Sequence, residues 1–347
     1  MSPINRRRWT NFRANRRGWY ALWTFAALFV TSLFAEFIAN DKPVLLWMNG
    51  ELYAPVIRPP TEQELGGELP IEADYTDPYV TDLIEAAGGW TVEPIIPYSY
   101  DTIDLNIESP APAAPSRRHW LGTDDSAKDV LARLIYGFRL SVTFGIVLTA
   151  LASAIGVCVG AVQGYFGGLV DLIGQRLVEI WAGLPILLVL IILASVFEPN
   201  VFSLLVILIM FSWMALVSVV RAEFLRTRNF DYVVAARSLG VSDLTIMRRH
   251  VLPNAMVAAL TFLPFILCGA VTTLTALDFL GFGLPEGSPS LGELLQQGKA
   301  NLHAPWLGLT GFFTLALMLC LLIFIGEAVR DALDPRRAAQ GPPGIAP

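Results

Sequence analysis

The chain has 347 residues, 54% hydrophobic and 16% charged, with a formal net charge of −6 at pH 7 and a mean hydropathy of +0.55. That excludes an ordinary soluble domain of this length and points to a polytopic membrane protein. The charge is segregated: residues 1–17 hold six Arg and no acid, whereas Asp41 to Phe138 holds 17 Asp and Glu against 6 Lys and Arg.

In chain order, a basic segment (1–18) precedes a first apolar run at Trp19–Ala39, which is too long for a removed signal peptide and lacks its small-residue cleavage site. Residues 40–118 are acidic and rich in Pro. Their aromatics (Trp47, Tyr53, Tyr75, Tyr79, Trp90, Tyr98, Tyr100) argue for a small packed domain or a membrane-lying lobe rather than a disordered tail. Short strands are expected around Trp90–Ile96, and Pro110, Pro112 and Pro115 mark a linker. A helix capped by Thr123 or Asp124 should follow, with Val130, Leu134 and Ile135 on an apolar face turned to the membrane surface.

Further apolar runs lie at Leu140–Gln163, Val178–Phe197, Val201–Val220, Leu252–Leu277 and Trp306–Ala328. Each is near the roughly 20 residues needed to cross hydrocarbon, so six spans are expected. Glu198-Pro199-Asn200 makes the third and fourth a tight hairpin. Arg176, Arg221, Arg226, Arg228, Arg237, Arg248, Arg249, Arg330, Arg336 and Arg337 then fall on one side with the N-terminal arginines. By the positive-inside rule both termini are cytoplasmic, and the acidic 40–118 segment is outside.

Between the fourth and fifth runs lies Asn229–Asn254, a polar, Arg-bearing segment too long for a simple connector. It reads as two short helices. In the first, Tyr232, Ala235, Ala236 and Leu239 share a face. Gly240 supplies a turn. Ser242 caps the second, which carries Leu244, Ile246 and Met247 before Arg248, Arg249 and His250. This segment resembles the coupling loop of ABC importer permeases, with Ala235, Ala236, Gly240, Leu252 and Pro253 at the matching positions and Val234 where that loop usually has Glu. His250 before Val251-Leu252-Pro253-Asn254 is similar to the peptide-importer branch.

Other segments extend the resemblance from Trp120 to about Asp334: Leu121-Gly122-Thr123-Asp124, Gly164–Gly168 with Asp171 and Arg176, and Leu280–Leu284. Ala127-Lys128 stands where the family has Gly-Arg. The long 40–118 segment is similar to the branch linked to peptide and microcin C uptake. The resemblance implies an all-α, six-span, type I importer permease fold with a periplasmic insertion between helices 1 and 2, a core over 119–334 and a cytoplasmic tail over 335–347. It implies a bacterial inner-membrane chain that forms half of a pathway for peptide-like solutes. Its partners would be a second homologous permease, ABC ATPase subunits or a fused double ATPase, a periplasmic solute-binding protein and membrane lipid, with no nucleic acid.

Candidate site residues follow. Tyr232, Ala235, Ala236, Arg237, Gly240, Arg248, Arg249, His250 and Pro253 would meet the ATPase, the arginines pairing with partner acids or lipid phosphates. Gly269, Thr272, Thr273 and Thr275 on the fifth span are pore-lining candidates, against ordinary helix packing as the alternative. Glu286, Glu293 and Lys299 could touch a solute-delivering protein or simply be solvated. Asp278, at a span end, is expected to reach water.

No cofactor is expected in the chain itself, ATP and Mg belonging to the partner. There is no Gly-x-x-x-x-Gly-Lys-Ser/Thr loop, His119, His250 and His303 lack metal spacing, and Cys158, Cys268 and Cys320 lie in apolar runs. An ion-coupled secondary transporter would need mid-span carboxylates or broken repeats. A membrane enzyme in the insertion would need a paired catalytic motif, and only His119 is present there.

Overall fold

A computed structural model describes residues 3–107, 109–197, 200–285 and 287–334 of the chain. The N-terminal basic segment is helical, α1 (Pro3–Ala14), and runs into α2 (Arg16–Leu33) through Asn15, whose side chain accepts the Gly18 N–H at 3.2 Å. The first expected span is shorter than its apolar run. After α2 the backbone turns at Phe34 and restarts as α3 (Ala35–Ile38). Ser32 donates its hydroxyl to Phe29 O, and the Phe34 N–H folds back on Thr31 and Ser32. Such side-chain bonding competes with regular helical pairing.

The 40–118 segment is not purely irregular, and the chain is not purely helical. Three strands, β1 (Leu45–Met48), β2 (Glu51–Tyr53) and β3 (Trp90–Val92), form an antiparallel sheet in the order β2-β1-β3. Leu46 faces Tyr53 on one side and Thr91 on the other. Asn49 and Gly50 join β1 to β2 with φ of 52° and 82°, the left-handed pair that a two-residue hairpin turn requires. Leu46 and Met48 point to one face, where Leu65, Ala73, Val80 and Ile84 close a small core. Val80 and Ile84 come from α4 (Pro78–Ala86), capped by Asp77.

The helical body is built around α5 (Val130–Phe166), one unbroken helix of 37 residues. Its cap is Asp129, whose carboxylate accepts the Ala132 N–H at 2.7 Å, not Thr123 or Asp124. Val130 and Leu134 do not face lipid; they are buried with Leu291, Leu294 and Leu307. On the far half of α5, Gly156, Gly160 and Gly164 form a stripe of spacing four against α9 (Met214–Thr227). A Cβ at 160 would lie 2.7 Å from Val217 O and one at 164 2.6 Å from Arg221 O, while one at 156 would run into Trp213 O. Small residues at this spacing let membrane helices approach backbone to backbone.

Among the described residues, four helical stretches are long and apolar enough to cross a membrane: α5, Val201–Thr227, Asp243–Phe279 and Pro305–Leu333. The second is α8 (Val201–Ser212) followed by α9, and the fourth is α14 (Pro305–Leu333). The expected span Val178–Phe197 falls across α6 (Gly168–Ala182) and α7 (Ile186–Val196), a pair bent by 74°. Gly183 and Pro185 lie at the break, and proline both lacks an amide donor and disfavours a helical residue before it. Counting the bent pair as one span gives five. The 18-residue α2 falls below the other four in length and packs its Ala21 and Phe25 against the core of α5 and α14. In the α7–α8 connection, Glu198 and Pro199 lie outside the described residues; Asn200 caps α8 reciprocally with Ser203.

Candidate functional site

The Asn229–Asn254 segment folds as a compact unit on the end of α5 and α9. Its first helix, α10 (Asp231–Ser238), buries Val233 and Ala236. A turn at Gly240 (φ +77°) follows. Then α11 (Asp243–Thr245) passes into a π-turn, Ile246–Val251, that feeds α12 (Leu252–Phe279) with Pro253 in its first turn. Val233, Ala236, Ile246 and Val251 pack with Tyr165, Leu216, Val220 and Phe224. The loop therefore shares a core with the ends of two membrane helices.

This packing divides the expected contact face. Ala236 and Ile246 point inward, whereas Ala235, Tyr232, Leu239 and Leu244 point outward. Leu239 is 83% exposed, and a Cβ at Gly240 would meet open space. Tyr232 is tied to the start of α12: its hydroxyl accepts the Asn254 amide at 2.9 Å, and its ring lies 6.5 Å from that of His250. Ser242 starts α11 without capping it through its side chain and instead pairs with Thr245 Oγ1 at 2.8 Å.

The arginines separate in role. Arg237 is engaged within the chain, its guanidinium 5.2 Å from the Tyr165 ring centroid and 4.0 Å from Asp243. Arg228, outside the expected set, donates to the carbonyls of Gly164 and Tyr165 at 3.3 and 3.2 Å. It thereby satisfies the carbonyls that end α5. Arg221 clamps Asp171 with two N–H donors, joining α9 to α6. Arg248 and Arg249 are exposed and have no ion-pair partner among the described residues.

On α12, Gly269 and Thr272 are exposed and Thr273 is half-buried. Nothing lies within 4 Å of a Cβ placed on Gly269. These three share one open face. Thr275 does not: it is buried, and its carbonyl abuts Gly292 on α13 (Leu291–Ala300).

At the opposite end of the body from the coupling segment, sequence reading overlooked a buried ionic cluster. Arg133 is 1% exposed and ion-paired with Asp124; its Nη2 reaches Glu293 at 2.8 Å and the Ser288 carbonyl at 3.1 Å. Glu293 thus bonds α13 to α5. Lys299 lies over the Phe279 ring, 5.4 Å from its centroid, and Glu286 lies outside the described residues. Asp278 is buried rather than wet, accepting the Leu284 N–H and the Ser290 hydroxyl.

Beside this cluster, His119 stacks on Tyr98 and is held between two carboxylates, Nδ1 at 2.9 Å from Asp129 and Nε2 at 3.1 Å from Asp104. Burial disfavours the Asp104 carboxylate, but hydrogen bonds from the Asn106 N–H, His119 and Tyr98 outweigh it and hold the carboxyl below its ordinary range. For the more enclosed Asp129 burial wins and pushes the carboxyl up. Only the partners' separation in sequence hid these contacts; each residue type carried its ordinary signal.

Residues 152–339 match the family described as "Binding-protein-dependent transport system inner membrane component". The chain is 57% identical over 338 residues to "Inner membrane ABC transporter permease protein YejE" of Escherichia coli (strain K12), covering 97% of this chain and 99% of that protein. It is 54% identical over 361 residues to "Peptidoglycan transport system permease protein YejE" of Agrobacterium fabrum, covering 97% and 94%. To "Oligopeptide transport system permease protein OppC" of Haemophilus influenzae it is 34% identical over 248 residues, covering 71% and 79%. The chain belongs to the family of binding-protein-dependent transport system inner membrane components, as a permease subunit of an ABC transporter rather than an enzyme.

Proposed function

We propose that the chain is one half of the membrane pathway of an ATP-driven importer for peptide-like solutes, including peptidoglycan-derived peptides and microcin C-like peptides. Relatives whose names specify peptidoglycan and oligopeptide transport support that solute class. The observation that carries the mechanism is the coupling segment. Its inner face is fused to the ends of α5 and α9, while its outer face presents Tyr232, Ala235, Leu239 and Leu244 to solvent. A partner ATPase, binding ATP and Mg, would dock on that outer face. Nucleotide-driven closure then moves α5, α9 and α12 with the segment, and the states differ because ATP binds one closure better than the other.

In this reading α2 and the bent α6–α7 pair complete six membrane-crossing units, with the termini and coupling segment cytoplasmic. The 40–118 lobe is periplasmic. The open Gly269–Thr272–Thr273 face meets a second, homologous permease across the pathway, and a solute-binding protein delivers to the α13 side. Arg248 and Arg249 remain free for acids of the ATPase or for lipid phosphates. The test is uptake of labelled tri- to pentapeptides into proteoliposomes holding the whole assembly. Uptake that needs internal ATP and the binding protein supports the reading. Uptake driven by an ion gradient without ATP would replace it with a secondary transporter.

A further inference from the structure

A groove of about 890 Å³ runs along α5 at the end away from the coupling segment. Its α5 lining runs from Tyr136 to Val147, about 17 Å at the helical rise of 1.5 Å per residue. The chemistry changes along that length. Charge is confined to one end, supplied by Asp101, Lys128 and Arg139. Beyond Arg139 the walls are Leu140, Thr143, Phe144 and Val147 of α5 and Val201 and Leu205 of α8, with Leu33 of α2 also in the lining. Leu33, Val147 and Val201 are 47%, 40% and 48% exposed, so the apolar half opens sideways rather than closing over a solute.

The charged end is balanced. Arg139 directs Nη1 to both Glu36 oxygens at 2.7 and 2.8 Å, with its guanidinium 4.8 Å from the Tyr136 ring centroid. Guanidinium carries five N–H donors, so others remain for a second acceptor. In the groove lining Lys128 and Arg139 thus stand beside the Asp101 carboxylate, while Glu36, outside the lining, holds Arg139 in place. A purely anionic headgroup would meet repulsion from the acids. A headgroup with a phosphate and an ammonium finds a partner for each.

We propose that this groove binds a single phospholipid with an ammonium-bearing, zwitterionic headgroup. Its phosphate sits against Arg139 and Lys128, its ammonium against Asp101, and its acyl chains run between α5 and α8 past Leu33. The length and lateral opening of the apolar half fit acyl chains better than a peptide, which would bring backbone polar groups into a wall with almost none to receive them. The lipid would join the 40–118 lobe, through Tyr100 and Asp101, to α5 and to the Gly287–Pro289 approach to α13. The proposal rests on the membrane-spanning reading of these helices and not on the solute or on ATPase docking.

The experiment is lipid mass spectrometry and native mass spectrometry on the assembled, detergent-washed importer. Wild type is compared with Arg139→Gln, Lys128→Gln and the groove-filling Val147→Trp, each first checked for co-purification of all subunits. Wild type should keep an ammonium-headgroup phospholipid that Val147→Trp lacks. The charge variants should hold it about tenfold less well, the loss expected for a charge-assisted hydrogen bond. Phosphatidylethanolamine should rebind to delipidated complex in preference to phosphatidylglycerol. Equal retention by all four proteins, equal rebinding of both lipids, or cross-linking of Val147→Cys to the second permease chain would each overturn the proposal.

Discussion

Tyr165, near the end of α5, donates its hydroxyl to Asp243 in the coupling segment at 2.5 Å, and Arg237 from the same segment lies over its ring. A helix of 37 residues is thereby fastened at its tip to the proposed ATPase-docking segment. Tyr165→Phe keeps the ring and removes the hydroxyl. The expected cost is about 1 kcal/mol, because Asp243 is half exposed and hydration softens the loss. Hydrogen exchange should quicken over 229–245, with ATPase docking retained and transport per ATP hydrolysed reduced. Unchanged exchange there would show that the hydroxyl does not hold the loop.

The α5–α9 contact depends on absent side chains. Gly160→Leu places a branched chain where even a Cβ would lie 2.7 Å from Val217 O, and overpacking of this kind costs about 3 kcal/mol. Gly269→Ala, with open space around it, should leave stability within about 0.5 kcal/mol. Detergent melting of the two variants checks the contrast; equal melting would mean that the glycine stripe is not a close contact.

His119 bonds Asp104 of the 40–118 segment to Asp129, the cap of α5. His119→Ala leaves Asp129 enclosed without its imidazole hydrogen bond, at a cost of about 2 kcal/mol, and should raise protease sensitivity around residues 95–106. Acid acts on the same contact. The Asp104 carboxyl lies below its unfolded value, so its stabilisation is present at neutral pH and lost as pH falls through that lowered value, below about pH 4. Asp129, shifted upward, works the other way and gains from protonation, which offsets part of the loss. Asp104→Asn should shrink the acid-dependent part of the exchange around 95–106; an unchanged acid response would assign it elsewhere.

Arg133 is buried between Asp124 and Glu293. Arg133→Met strands Asp124 and should cost about 4 kcal/mol. The Arg133→Met/Asp124→Asn double variant should recover much of that, since removing both charges is less harmful than removing one. Melting of the double variant at or below that of the single variant would contradict the pairing.

The break at Gly240, the two-helix form of the coupling segment and the apolar stretches of α5 and α14 were legible because periodicity and glycine are local signals. Facing was not. Tyr232, Ala235, Ala236 and Leu239 satisfy helical spacing, yet the buried pair is Val233 and Ala236, chosen by the ends of α5 and α9. The α6–α7 bend carried its signal in Gly183 and Pro185, hidden within a continuous apolar run. Asn49-Gly50 carries the signal for the β1–β2 hairpin, but the acidic, Pro-rich composition around it masks that signal. The cluster of Asp124, Arg133 and Glu293 could not be read, because its third member is distant in sequence and only the packing of α13 on α5 brings it in.

The outward face of α10, with Gly240 beside it, is the proposed ATPase dock. The direct measurement is co-purification of ATPase and second permease with a tagged copy carrying Ala235→Arg and Leu239→Asp, both exposed positions that leave the inner core of Val233 and Ala236 intact. The expected result is a folded chain that still brings down the second permease and loses the ATPase. Full retention of the ATPase by that variant, with the same melting temperature as wild type, would contradict it.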